Sequence, residues 1–347
     1  MTLAAGAPLL NWTDIIGHKR VTEVLSRAIE RDRLHHAYLF TGPPGVGKRT
    51  TAFAMAAVLN CDRRQKHAFA PNCGECSSCH RIDSANHPDV TLVEPPNTVI
   101  TIDQIRELQK GSRTPYEAPF RIIVIDDAHA MTQEAANALL KTLEEPPPNT
   151  ILFVVTDQPH RLLDTIISRC QRMRFGAIDQ RLVAQALADD FSDDYDKDLL
   201  SIAAGYGEGS LGRSLQLLES GMLEGRREFL TDALSIDPRS TVQWLDAADQ
   251  LSSKKAQLEY RLDVLMVFFR DLLLFKRASD DRMVNRDLLK LIEDQAGRYS
   301  VEAILGILDA LMAAKYRLNR HVNGQLLSED ILDRLRFPDS RALAPPA

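Results

Sequence analysis

The sequence contains no apolar run long enough to cross a bilayer. Its densest apolar stretch, Val264 to Phe269, is followed at once by Arg270 and Asp271, whereas a spanning helix needs roughly 20 apolar residues. The opening segment MTLAAGAPLLNWTD has no basic leader and no extended apolar core. No export signal is read from it, and a cytoplasmic protein is expected. Aromatic residues are few, at 6% of the chain, which favours helix-rich packing over an all-β sandwich. Cysteine is scarce too, with five in 347 residues. In a reducing compartment such thiols are read as metal ligands or packing groups before disulfides. Neither sign of charge dominates: 42 Lys plus Arg against 48 Asp plus Glu give a net charge of -6. There is no internal repeat and no low-complexity tract. With 44% hydrophobic and 26% charged residues, a disordered chain, a fibre and a simple polycation are excluded. Nucleic acid is not excluded, because a local basic surface can sit on an acidic chain.

What is present is an ordered alternation. The runs Ala37–Phe40, Val90–Val93, Arg121–Asp127, Ile151–Thr156 and Arg172–Phe175 read as strands, and helical segments separate them. Continuous apolar strands joined by helices imply a parallel sheet covered on both faces. A helix over Gln133–Glu145 is stopped by Pro146, Pro147 and Pro148. After Gly176 the strand pattern ends. Short helices are expected over Gln180–Ala188, Lys197–Ala204 and Leu211–Glu219, and longer ones over Ala256–Arg277, Ser300–Arg320 and Ser328–Arg336. The tail RALAPPA is expected to fray. The layout is an α/β domain over 1–176, a small helical domain over 177–235 and a larger all-α domain over 236–347.

Gly42, Pro43, Pro44, Gly45, Val46, Gly47 and Lys48 follow a strand and open a helix. In that context a glycine-rich loop turns its backbone N–H groups around phosphate oxygens, the helix terminus adds positive dipole and the lysine reaches the outer phosphates. The motif places a Ser or Thr hydroxyl on Mg²⁺ directly after the lysine. Arg49 stands there, and the first hydroxyl is Thr50. ATP binding is compatible with this, whereas Mg²⁺-dependent hydrolysis is in doubt. The strand Ile122–Ile125 ends in Asp126, placed to hold Mg²⁺ through water, and Asp127, where an activator of water would sit.

Cys73, Cys76 and Cys79 form a C-x2-C-x2-C run, and Cys61 lies twelve positions upstream. Four thiolates in one insertion, 61–79, suit a closed structural Zn²⁺. Cys76–His80 also matches a c-type haem attachment pattern, which requires export. An iron–sulfur cluster needs four thiolates as well, but the ferredoxin continuation C-x3-C-P is absent. His67, His80 and His87 are read as loop histidines, and Cys170 as a packing thiol. Arg169, in Ile167–Cys170 after the fourth strand, has two readings on sequence physics alone: a surface salt bridge, or an arginine finger acting on a neighbour's γ-phosphate.

Taken together, Trp12–Val21, the phosphate loop, the four-cysteine insertion, Ile122–Thr132, Ala135–Pro147 and Ile167–Cys170 resemble the AAA+ clamp-loader family that serves bacterial DNA polymerase III. The likeness covers roughly residues 10–220. It implies a hetero-pentamer with gamma/tau and delta subunits that opens a sliding clamp and loads it onto primed DNA. It makes Arg169 a finger in trans, Ile15–Val21 an adenine-side contact, Thr156 the sensor-1 position, 177–235 a lid and the last helices a collar. Motor subunits of the family have Thr after the lysine and Asp-Glu at the acidic strand. Here Arg49 and Asp126-Asp127 stand in those places, and Gly212, followed by Arg213, stands where the motors carry the sensor-2 arginine. The resemblance therefore implies a stator with weak or no ATPase of its own. A gamma/tau-type motor is the alternative. A small-molecule kinase is disfavoured because no substrate-binding insertion is evident.

Overall fold

The computed structural model describes residues 11–64, 69–111, 116–236, 240–252, 255–277, 282–318 and 322–337. His67 and the tail RALAPPA lie outside the described residues. The strands are β1 (Ala37–Thr41), β2 (Val90–Val93), β3 (Arg121–Ile125), β4 (Thr150–Thr156) and β5 (Gln171–Arg174). They form one parallel sheet in the order β2-β3-β4-β1-β5. Every residue of β1, β3 and β4 is buried, as near-continuous apolar runs require when helices cover both faces. Alternate side chains go to opposite faces. Tyr38, Phe40 and Phe153 join one core with Leu25, Phe53 and Met55. Leu39, Leu152 and Val154 join the other with Ile105, Leu139 and Ile166. At the sheet edge, β5 buries only Met173, and its polar residues face outward.

The covering helices are α1 (Lys19–Glu30), α2 (Lys48–Asn60), α3 (Ser77–Asp83), α4 (Ile102–Gly111), α5 (Gln133–Glu144) and α6 (Asp164–Arg169). In α1, Val21, Leu25 and Ile29 recur every four residues and are the buried ones. In α2, every residue from Thr51 to Asn60 is buried, so this helix runs through the domain interior. Thr132 caps α5 by accepting from the Ala135 N–H, and the three prolines follow its end as expected.

Contacts divide the chain into two units. The first runs up to Ala186 and includes Glu208–Arg213. The second comprises Leu187–Gly207 and the chain from Ser214 onward. Further helices are α7 (Gln180–Phe191), α8 (Lys197–Tyr206), α9 (Leu211–Glu219), α10 (Arg226–Leu234), α11 (Thr241–Ser252), α12 (Lys255–Lys276), α13 (Leu289–Ala296), α14 (Val301–Leu318) and α15 (Gly324–Arg336). Every described element of the second unit is a helix. Its core includes Leu258, Leu262, Leu265, Phe269 and Leu272 of α12, with Ile304, Ile307 and Leu311 of α14 and Ile331 of α15. Buried Asp271 accepts from the N–H groups of Val284 and Asn285 and from the Asn285 amide, and Tyr206 donates to Asn285 at 2.8 Å. No described helix is long and apolar enough to cross a membrane.

Candidate functional site

The carboxyl ends of β1, β3 and β4 lie side by side, because Thr41 pairs with Thr156 and Ile125 with Val154. The loop 42–48 leaves β1 at this edge, where open α/β sheets hold their ligands. Two glycines are dictated by what stands opposite. At Gly42, with φ +153°, a Cβ would meet the Phe175 carbonyl oxygen at 2.2 Å. At Gly45, with φ +70°, it would meet Ser210 Oγ at 2.3 Å. Gly47 is the N-cap of α2, in the left-handed region, and no side chain caps that helix. Its first N–H groups therefore face the loop without a side-chain acceptor, the arrangement that suits an anion.

Lys48 is buried and donates to the carbonyls of Gly42 (2.8 Å) and Pro43 (2.6 Å). Burial lowers its pKa, opposed by Asp157, Asp126 and Asp127. Val46 is buried, Pro43, Pro44 and Thr50 are exposed, and His18 Nε2 donates to the Val46 carbonyl at 2.7 Å. Ser210 donates to the Pro44 carbonyl (2.9 Å), and the Gly212 N–H donates to the Gly45 carbonyl (2.9 Å). A Cβ at 212 would stand 3.1 Å from Gly45 Cα. Gly212 is thus closely packed on the loop backbone, and Arg213 pairs with Glu208 at 3.1 Å.

Asp126 sits at the tip of β3. Burial raises its pKa, as does Asp127, while Arg49 pulls it down. Arg49 Nη1 lies 2.8 Å from Glu94 Oε2 and 3.5 Å from Asp126 Oδ2. Asp127 is exposed, in the left-handed region at φ +47°. Thr156 Oγ1 accepts from the Gln158 N–H (3.0 Å) and lies 3.2 Å from His129 Nδ1. His129 Nδ1 is also 3.3 Å from Asp157 Oδ1. Arg169 ends α6 and is 36% exposed. It meets Glu144 at 2.8 Å and donates to the Thr165 carbonyl at 3.0 Å.

The four cysteines converge. The sulfurs of Cys61, Cys73, Cys76 and Cys79 all lie within 4.8 Å of one another, with Cys61 and Cys76 at 4.0 Å. Thiolates at 2.3 Å from one tetrahedral ion stand about 3.8 Å apart, so the group can hold a metal ion. A hydrogen bond from the Glu75 backbone leads the causes that lower the Cys73 thiol to about 7. Burial pushes Cys61 and Cys79 upward. Cys170 lies outside the group, buried, and is raised by that burial to about 12.

Family models described as "DNA polymerase III, delta subunit" and "DNA polymerase III, delta subunit, C terminal" match residues 17–179 and 221–336. DNA polymerase III subunit delta' of Bacillus subtilis is 35% identical, covering 90% of this chain and 94% of that protein. The chain belongs to the delta-prime family of DNA polymerase III subunits. The Pseudomonas aeruginosa delta' subunit is 34% identical over 58% of this chain and 64% of its own length. Subunit tau of Bacillus subtilis matches at 29% over 76% of this chain, but only 50% of that protein is covered. The first family model spans the phosphate loop, the cysteine group and Arg169, and the second spans the helices from α10 to α15. The parallel five-stranded sheet expected from the strand pattern is the one observed, with the phosphate loop between β1 and α2.

Several site neighbours escape sequence reading. Glu94 follows β2, and only the pairing of Val93 with Ile125 reveals that it adjoins Asp126. His18 and Ser210 support the loop from 28 and 166 residues away, and no local motif marks them. His129 and Asp157 each follow a strand end by a few residues, which is the only sequence signal they carry.

Proposed function

We propose that this chain serves the clamp loader of the polymerase III holoenzyme as the member that completes a neighbour's active site. It assembles with gamma/tau and delta subunits in a hetero-pentamer, and the assembled ring opens the sliding clamp and places it on primed DNA in the cytoplasm. Residues 177–235 serve as the lid and 236–347 as the collar. Arg169 reaches a neighbour's ATP and stabilises charge on the transferring phosphoryl group. Its salt bridge to Glu144 is exposed on both sides, so releasing it costs less than about 1 kcal/mol. Thr156 takes the sensor-1 position and Ile15–Val21 the adenine side of this chain's own loop. The cysteine group holds a structural zinc that fixes the 61–79 insertion against α2.

The observation that carries this reading is Arg49, which stands where a motor subunit needs a hydroxyl and spends its charge on Asp126 and Glu94. The gamma/tau-type motor has the partial tau match in its favour but requires turnover at this loop. ATP hydrolysis by the isolated chain, compared with the ring reconstituted from gamma/tau and delta, tests the proposal. The isolated chain is expected to stay well below about 1 s⁻¹, the low end for typical enzymes, and to join the ring. Vigorous turnover by the isolated chain, or failure to assemble, would overturn it.

A further inference from the structure

Arg49 does more than omit a hydroxyl. Its Nη1 lies between Glu94 (2.8 Å) and Asp126 (3.5 Å), and its guanidinium stands 5.8 Å from the Phe53 ring centre. Glu94 follows β2, Asp126 follows β3, and the register of those strands makes the two carboxylates neighbours. A magnesium ion asks for near-octahedral oxygen ligands and dehydrates reluctantly. Here the helix supplies no oxygen at position 49, the acid at the strand tip already has a cationic partner, and that partner repels a dication. The residues present do not fit magnesium. They do fit a fixed single positive charge, because arginine keeps its proton throughout the physiological range.

We infer that this phosphate loop takes a metal-free nucleoside polyphosphate, with Arg49 and Lys48 supplying the positive charge that a dication would otherwise bring. The inference rests on reading the loop as a nucleotide site. The Arg49–Glu94 pair is open to solvent, with 33% of the arginine and 51% of Glu94 exposed, so it is a weak pair, and the contact to the more enclosed Asp126 is longer, at 3.5 Å. A phosphate can draw the guanidinium into a charge-assisted pair at little loss. Lys48 makes the same exchange, leaving two neutral carbonyls for an anion. A triphosphate held this way has no ion bridging its outer oxygens, so it is retained rather than cleaved.

Calorimetric titration of the purified full chain with ATP and with ADP, with and without magnesium, tests this. Magnesium is removed by dialysis, because a strong chelator would also attack the thiolate group. Native affinity is expected to be highest without magnesium and to weaken on adding it, because the ion complexes the free nucleotide in solution and Arg49 repels the complex. Arg49→Thr is expected to lose about tenfold without the ion and to regain it with the ion, and Arg49→Lys to bind without the ion. Native binding that strengthens tenfold or more with magnesium would overturn the inference and leave the nucleotide site standing. A metal held instead by Asp127, His129 and Asp157, whose donor atoms lie within 4.8 Å of one another, would appear in that way. An Arg49→Thr variant indifferent to magnesium would also overturn it. No binding by the native chain under either condition would overturn both the inference and the nucleotide reading.

Discussion

Gly42 and Gly47 are both glycines at positive φ, yet they answer to different constraints. A Cβ at 42 collides with the Phe175 backbone, whereas one at 47 meets open space. Gly47→Ala is therefore expected to lose about 1 kcal/mol from the left-handed backbone alone. Gly42→Ala should lose clearly more, about 3 kcal/mol, because the Phe175 backbone just after β5 must shift as well. Denaturant melts of the two variants check the order. His18 gives a second prediction at this scale. Burial holds its pKa below the ordinary 6.5, and His36 and His87 are lowered first by burial too. The unfolded chain then takes up protons before the folded one does. Stability from these groups is full above pH 6.5 and is lost as pH falls through their lower folded values. The unfolding midpoint should drop between pH 7.5 and pH 5.5, and His18→Gln should make that drop shallower. An unchanged slope would remove His18 from the account.

Among the elements, those with strong local chemistry were legible. The apolar runs became β1 to β4 almost residue for residue, the prolines marked the end of α5, and Leu211–Glu219 is α9 as expected. The short helices α3 and α6 were not legible, since six or seven residues carry too little periodicity to separate from loop. The amphipathic α1 and α4 lie between stronger signals. Tertiary packing decides such pieces. The site divides the same way. The loop glycines, Lys48, the acidic strand tip and the cysteine spacing are local patterns. Glu94, His18 and Ser210 reach the site through strand order and long-range folding that no window of sequence contains. Among the described residues between α2 and β2, the buried hydrophobic ones are Cys61, Cys79 and Ile82, two of them in the cysteine group, so the order of this insertion should depend on its metal. Metal analysis is expected to give about one zinc per chain. Cys79→Ser should abolish binding and lower the melting temperature, and iron, or no metal after gentle purification, would contradict the assignment.

For the whole molecule, the proposed function divides labour between chemistry the chain does not complete and chemistry it lends to a neighbour. Its own loop has an arginine in place of the cation's hydroxyl ligand, and a glycine at 212 packed against Gly45. Arg169, partly exposed, pairs with Glu144 and donates to the Thr165 carbonyl. The most direct test is ATP hydrolysis by the ring reconstituted from this chain with gamma/tau and delta, comparing the native chain with Arg169→Ala. Removing a trans-acting arginine lowers phosphoryl transfer by orders of magnitude at the site it serves. The account expects the variant to assemble normally and the ring's turnover to fall by the share of that one site. Unchanged turnover in a fully assembled ring would contradict it.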